Sequence, residues 1–265
     1  MTTIIARSAE SVHWYGQDGS PQYTVKAKDG SDRPTTLRDA RKMDLVPSVT
    51  TVMKVAAKPA LEAWKMEQML LAALTLPRSP TEDEKSFIAR VVADSKETGK
   101  RAADRGTRIH EAIEKYFLGH TDTHLEIATA FDEATRKHFG LRGTDPWVVE
   151  ASFSSPLGFG GKVDLYSGLG KDSPTGIVVD AKTKEFAPGD SVVAYDEHLM
   201  QLAAYRNGLN MPEARCANAF VSVTHPGVIH IHEWSEEDLQ RGWKMFQALL
   251  EYWKLKNKFE GKNHG

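Results

Sequence analysis

Cysteine is nearly absent from this chain. Its 265 residues contain one, Cys216, so no disulfide framework can form within a single copy. The same scarcity excludes an iron–sulfur cluster held by four cysteines and a cysteine-rich zinc site. Long apolar runs are missing as well, and none approaches the ~20 residues that cross a membrane. Met1 to Arg7 has neither the basic region nor the long apolar segment of a signal peptide. A cytoplasmic location without membrane association is the expectation. Charge of one sign is not in excess: the net charge is −2, without the overall basicity of many nucleic-acid binders. The phosphate-loop, Gly-x-Ser-x-Gly and His-Glu-x-x-His signatures are absent too, as are internal repeats and low-complexity segments.

What remains is an ordinary globular composition, long enough for one large domain or two small ones and for a substantial core. Residues 1–45 read as a small β region, with strands near Ser11 to Tyr15 and Gln22 to Ala27 about a turn at Gly16 to Pro21. Residues 46–265 then form the main domain. Ser48 suits the N-cap of a short helix. Helical patterns cover 59–74, 82–98, 100–118 and 125–139, with a break at Gly99, and make a helical arm at about 59–140. The period then changes. Strands are expected at Trp147 to Phe153, Gly161 to Tyr166 and Gly176 to Ala181. A helix follows at Asp196 to Leu209, then a strand pair turning at Pro226-Gly227. A last helix is capped by Ser235 and runs to about Lys258. The expected fold class is α/β (α+β), a central mixed β-sheet flanked by helices.

Asp164, Asp180 and Lys182 stand out within that sheet. They lie in Gly160-Gly-Lys-Val-Asp-Leu-Tyr166 and Ile177-Val-Val-Asp-Ala-Lys-Thr183, two strand-like runs joined by a glycine-rich turn. A symmetric turn sets Asp164 across from Asp180, and opposed antiparallel residues share a face. Lys182, two residues on, joins that face. Two carboxylates and an ammonium at a hairpin end suit a hard divalent cation and metal-assisted phosphodiester hydrolysis. The plain alternative is a surface hairpin with a salt bridge, worth less than ~1 kcal/mol.

Other residues could join this chemistry. His110 lies in an amphipathic helix with Glu114 four residues on. The imidazole could reach a metal on the hairpin, or simply bond to Glu114. Gln201 and Tyr205 are also four apart, suited to phosphate or base contacts or to a half-exposed polar face. Glu150 could orient Lys182 or Arg108, or be a surface charge. Gly160-Gly161 leaves room for another backbone to approach. Lys100, Arg101, Arg105 and Arg108 form a local basic patch, which counts only if it lines a groove. His120/Asp122/His124 and His230/His232 resemble metal clusters but lack further ligands, and read as surface histidines.

Taken in order, His110, Asp164, Asp180-Ala181-Lys182 and Gln201-x-x-x-Tyr205 resemble the PD-(D/E)XK nuclease superfamily in its RecB-type exonuclease branch. The chain is also similar to mitochondrial genome maintenance and phage exonucleases of that kind, from about residue 47 to about 256. The resemblance implies a restriction-endonuclease-like core and a Mg²⁺- or Mn²⁺-dependent DNA exonuclease. Its targets would be single-stranded DNA or DNA ends, in recombination, repair or degradation. It implies metal ligation by His110, Asp164, Asp180 and the Ala181 carbonyl, with catalysis by Asp164, Asp180 and Lys182. DNA contacts would come from Gln201, Tyr205, Ser48, Thr50, Lys100, Arg101, Arg105 and Arg108, supported by Glu114, Glu150 and Thr183. A single-strand-binding or annealing protein is a candidate partner. The four-cysteine cluster of some relatives cannot form here. A structure-specific endonuclease and a non-catalytic DNA-binding accessory protein stay open as alternatives.

Overall fold

The computed structural model describes residues 13–120, 125–168 and 175–259. The first elements are β1 (Trp14–Tyr15), β2 (Thr24–Lys26), β3 (Asp32–Pro34), α1 (Leu37–Met43), β4 (Val46–Pro47) and α2 (Val49–Met53). Next come α3 (Pro59–Thr75), α4 (Glu84–Phe117) and α5 (Leu125–Phe139). The sheet and its helices follow: β5 (Val148–Ser155), β6 (Phe159–Gly168), β7 (Gly176–Lys184), α6 (Asp196–Gly208), β8 (Arg215–Ser222), β9 (Ile229–Glu233) and α7 (Glu236–Asn257).

The five long strands form one sheet in the order β5-β6-β7-β8-β9. All neighbours are antiparallel except β7 and β8, which run parallel. That parallel step requires a crossover, supplied by α6. The expected mixed sheet flanked by helices is the architecture found. On one face Leu165, Val179, Ala181 and Ala219 pack against Ile109, Ile113 and Phe131 of α4 and α5. On the other face Phe159, Val163, Val178 and Cys216 pack against α6 and α7. The β-branched, apolar β7 run is explained by this burial on both faces.

Three local readings need correction. The first 45 residues are not purely β. Thr36 accepts from the Asp39 N–H and the Asp39 carboxylate takes the Thr36 N–H, a reciprocal cap that starts α1. Gly99 does not divide the long helix, because α4 runs unbroken for 34 residues. A mid-helix glycine costs only about 1 kcal/mol, and this one packs against the Trp64 ring of α3, where an added Cβ would make ordinary van der Waals contact at 3.7 Å. The residues before β4 also belong to the main core: Trp14 is buried against Trp253 and Phe259. The expected strand residues Ser11 and Val12, the His120/Asp122/His124 cluster from 121 onward and most of the turn between β6 and β7 lie outside the described residues.

Candidate active site

The β6–β7 ladder pairs Gly168 with Gly176 through Leu165 with Val179, and stops there. Continuing the register sets Asp164 opposite Asp180, but the strands diverge at that point. The Ala181 N–H, lost to the ladder, is taken by the Asp164 carboxylate at 2.8 Å. The divergence accompanies a reversal of faces. Val163 belongs to the α6–α7 side and Leu165 to the α4–α5 side, although residues two apart should share a face. β5 reverses in step: Val149 packs on the α4–α5 side and Phe153 on the other. Between them sits Glu150, with left-handed backbone at φ 52°, which a non-glycine residue adopts only under outside constraint.

This fork lets both helical layers reach one point. From α4, His110 brings Nδ1 to 3.5 Å from Asp164 Oδ2. Gly106, one turn earlier, sets the approach: a methyl there would sit 3.2 Å from Thr183 Oγ1 of β7. From β7, Lys182 Nζ is 2.5 Å from Asp180 Oδ2. From α6, Gln201 Nε2 donates to the Tyr205 hydroxyl at 2.9 Å. Both are buried, so these residues are not a half-exposed helix face. Gly161 exists for this packing: a Cβ there would lie 2.9 Å from the Tyr205 ring. At Gly160 another backbone does approach, through a bridge to Ser48.

The two carboxylates are poised differently. Burial raises the Asp180 carboxyl, Lys182 opposes that shift, and Asp164 adds to it; the net direction is up. Burial also works against ionised Asp164, but the His110 hydrogen bond and charge, Lys182 and the Ala181 N–H outweigh it and hold the carboxyl low. For His110, burial favours the neutral ring, yet Asp164 and Asp180 prevail and the ring is shifted upward. Burial, reinforced by Asp180, holds Tyr205 as a neutral phenol.

Asn218 and Trp234 complete the site and were missed in the sequence. Asn218 pairs with Asp180 in the parallel ladder and donates Nδ2 to Asp180 Oδ2 at 2.9 Å. Trp234 Nε1 in turn donates to Asn218 Oδ1 at 2.8 Å. The available signal was a lone amide in the apolar run Cys216-Ala-Asn-Ala-Phe-Val221, since a fully buried polar side chain needs partners. His198 lies on the same helix as Gln201 and Tyr205. Its Nδ1 accepts the Tyr195 N–H, and burial, with Lys182, Lys184 and Lys58 nearby, lowers its pKa to about 3.

Other expected residues are placed less centrally. Arg101 and Arg105 line a cleft of about 850 Å³ with Leu61, Trp64, Gln68, Thr183 and Lys184, next to Lys182. Lys100 and Arg108 are exposed on α4 outside that lining. Thr50 is exposed, but Ser48 is 3% exposed. The Ser48 hydroxyl caps α2 through the Thr51 N–H and bonds Thr51 Oγ1, so it does not face solvent as a DNA contact would. Glu150 pairs with Lys162, not with Lys182 or Arg108, and Glu114 lies within electrostatic reach of that pair. His110 turns to Asp164 rather than to Glu114.

As a cation site, the donor set is suitable: two buried carboxylates, an imidazole and the β7 backbone at Ala181, of the oxygen and nitrogen type that hard divalent ions take. Among the described residues, no three His, Cys, Asp or Glu side chains are drawn tightly enough to form a finished cage. The Lys182 ammonium stands on Asp180 as the local positive charge. No described helix is long and apolar enough to cross a membrane.

No protein-family profile matches the chain, and no curated protein does. Solved structures with distant likeness include the following two. One is that of SSO0001, at 14% identity and TM-score 0.27, over 72% of this chain and 86% of that one. The other is an alkaline exonuclease, LHK-Exo, from Laribacter hongkongensis, at 14% identity and TM-score 0.26, over 74% of this chain and 98% of that one. At such TM-scores neither likeness bears on what this chain does.

Proposed function

We propose that the chain is a divalent-metal-dependent deoxyribonuclease of the PD-(D/E)XK type, in the RecB-like branch, that works as an exonuclease on single-stranded DNA or DNA ends. One observation carries the reading. At a fork between two strands, a low-pKa carboxylate (Asp164) and a raised one (Asp180) meet an imidazole and a lysine beside a cleft bearing Arg101 and Arg105. A lone surface salt bridge needs neither that burial nor that convergence.

His110, Asp164, Asp180 and the Ala181 carbonyl would hold Mg²⁺ or Mn²⁺, which when bound lowers the pKa of water and polarises a phosphoryl oxygen. The chain's own residues do the rest. Lys182, once turned from Asp180 toward the scissile phosphate, stabilises its developing negative charge. Asn218 and Trp234 keep the Asp180 carboxylate in place. Tyr205, held by Gln201, keeps its phenolic proton as a donor for a phosphate or base beside the carboxylates. Arg101, Arg105, Lys184 and Thr50 neutralise or contact the strand backbone. A single-strand-binding or annealing protein is the partner this activity calls for, in the cytoplasm of a bacterial or phage-infected cell.

The test uses linear single- and double-stranded DNA labelled at the 5′ or 3′ end, with a covalently closed circle as control, in Mg²⁺, in Mn²⁺ and in neither. Linear DNA is degraded only with metal, and the circle survives. Asp180→Ala and Lys182→Ala each lower cleavage by at least 10²-fold, the scale of losing one transition-state contact, while DNA binding persists. Full activity in both variants refutes the site, and cutting of the circle refutes the exonuclease assignment.

A further inference from the structure

α3 carries apolar side chains on two opposite sides. At 100° per residue, Leu61, Trp64 and Gln68 fall on the side that lines the cleft. Met66, Leu70 and Leu74 fall on the other, with Ala63, Met69 and Ala73 beside them. Met66, Met69, Leu70 and Leu74 are 64, 42, 65 and 82% exposed. Scattered exposed leucines are ordinary, whereas a contiguous stripe marks a contact. From Gln68 to Leu76 there is no ionisable residue.

We propose that this stripe joins two copies of the chain through antiparallel α3 helices, about a two-fold axis at Leu70. A two-fold contact must be complementary to itself. Met66 and Leu74 lie four residues either side of Leu70, so each copy's Met66 meets the other's Leu74, and Leu70 meets Leu70. Ala63 and Ala73 keep the flanks small enough for helices to approach within the usual 8–10 Å. Glu67, exposed at the edge of the stripe, is set opposite Ala73 of the other copy, so the two-fold places no like charges directly against each other. Covering the stripe on both copies removes on the order of 1,000 Å² from water, the lower edge of a specific interface and the range of a weak, reversible dimer. Since Leu61, Trp64 and Gln68 lie on the far side of the helix, pairing leaves both clefts open. The contact is independent of any nuclease activity.

Sedimentation equilibrium of the full chain across roughly 1–100 µM, the range that reports micromolar association, tests this. The average mass climbs from 29.4 kDa toward twice that value. Leu70→Glu, on an exposed position, stays at the monomer mass with an unchanged far-UV circular dichroism spectrum. Under oxidation, Leu70→Cys cross-links to itself, while Met66→Cys and Leu74→Cys cross-link when mixed and not alone; the native Cys216 is buried and stays silent. A chain that is monomeric throughout overturns the proposal, including one that instead binds lipid vesicles or another protein through the stripe. A dimer that survives Leu70→Glu overturns the surface, and efficient self-linking of Met66→Cys overturns the antiparallel axis.

Discussion

Asn218→Ala tests the reasoning about the site without reference to activity. Asn218 is fully buried and Asp180 is 1% exposed. The substitution removes the donor to the Asp180 carboxylate and the acceptor for Trp234 Nε1. A hydrogen bond to a charged group contributes ~1.5–3 kcal/mol and a neutral one ~0.5–1.5 kcal/mol. Asp180 keeps Lys182 as a partner, so the loss is that of the two hydrogen bonds, about 3 kcal/mol at pH 7. Against a total stability of ~5–15 kcal/mol that is large, and in a chain of this size it lowers Tm by roughly 6–12 °C. Urea denaturation measures it directly.

Asn218→Asp supplies the discriminating control. An aspartate there still accepts from Trp234 but sets a third carboxylate against Asp180, itself already shifted upward by burial. Two carboxylates that share a site push one pKa further above its unfolded value. The folded state then binds more protons than the unfolded state, so stability falls as pH rises. The Asn218→Asp deficit, measured against the protein with Asn218 at the same pH, should therefore grow from pH 5 to pH 7. A deficit for Asn218→Ala below ~0.5 kcal/mol, within the usual range of a surface substitution, or a pH-independent deficit for Asn218→Asp, would refute this account.

Gly208→Ala should destabilise by ~1–3 kcal/mol, because a Cβ there would lie 1.9 Å from the Phe153 ring, and overpacking outweighs the gain in helix propensity; a stabilised variant in chemical denaturation would contradict it. The folded pKa of His198 is about 3, below its unfolded value, so the unfolded state binds the extra proton and stability drops as pH falls from ~6.5 toward 3. His198→Gln should flatten that drop between pH 7 and pH 5, and identical urea midpoint shifts in both proteins would rule the histidine out. Mg²⁺ that binds only the folded chain should raise its stability by ~2.7 kcal/mol at a hundred times its Kd, seen as a rise in Tm that Asp180→Asn abolishes; an equal rise in that variant would move the cation elsewhere.

Periodicity and turn residues sufficed for the main strands of the sheet, for the crossover helix and for the last helix with its Ser235 cap, because each has an apolar pattern punctuated by caps or glycines. The Asp164–Asp180 register was legible from turn symmetry alone. Gly99 misled because a glycine's helix cost is small beside the packing of Trp64 over it. Ser48 misled because a serine suited to phosphate is equally suited to capping, and only burial tells the two apart. The partners of Glu150 and Asp180 were illegible: Lys162 and Asn218 come from neighbouring strands, and single-chain spacing holds no record of which strands adjoin.

The fork at Asp164 is the deepest of these omissions, and it changes how the site must be probed. Alternation along β5 and β6 predicts a single face for residues two apart, and the reversal at Glu150 and Asp164 breaks that rule in both strands at once. Without the reversal, the β6–β7 ladder would continue and the Ala181 N–H would bond to β6 backbone. With it, that N–H depends on the Asp164 carboxylate, and a buried N–H without an acceptor costs ~1–3 kcal/mol. Asp164 thus closes the end of the hairpin as well as facing His110. Asp164→Ala removes both roles, so lost activity in that variant would not separate chemistry from structure. Asp164→Asn keeps an oxygen for the Ala181 N–H while discarding the charge that raises the His110 pKa, and it is the substitution that isolates the carboxylate's chemical part.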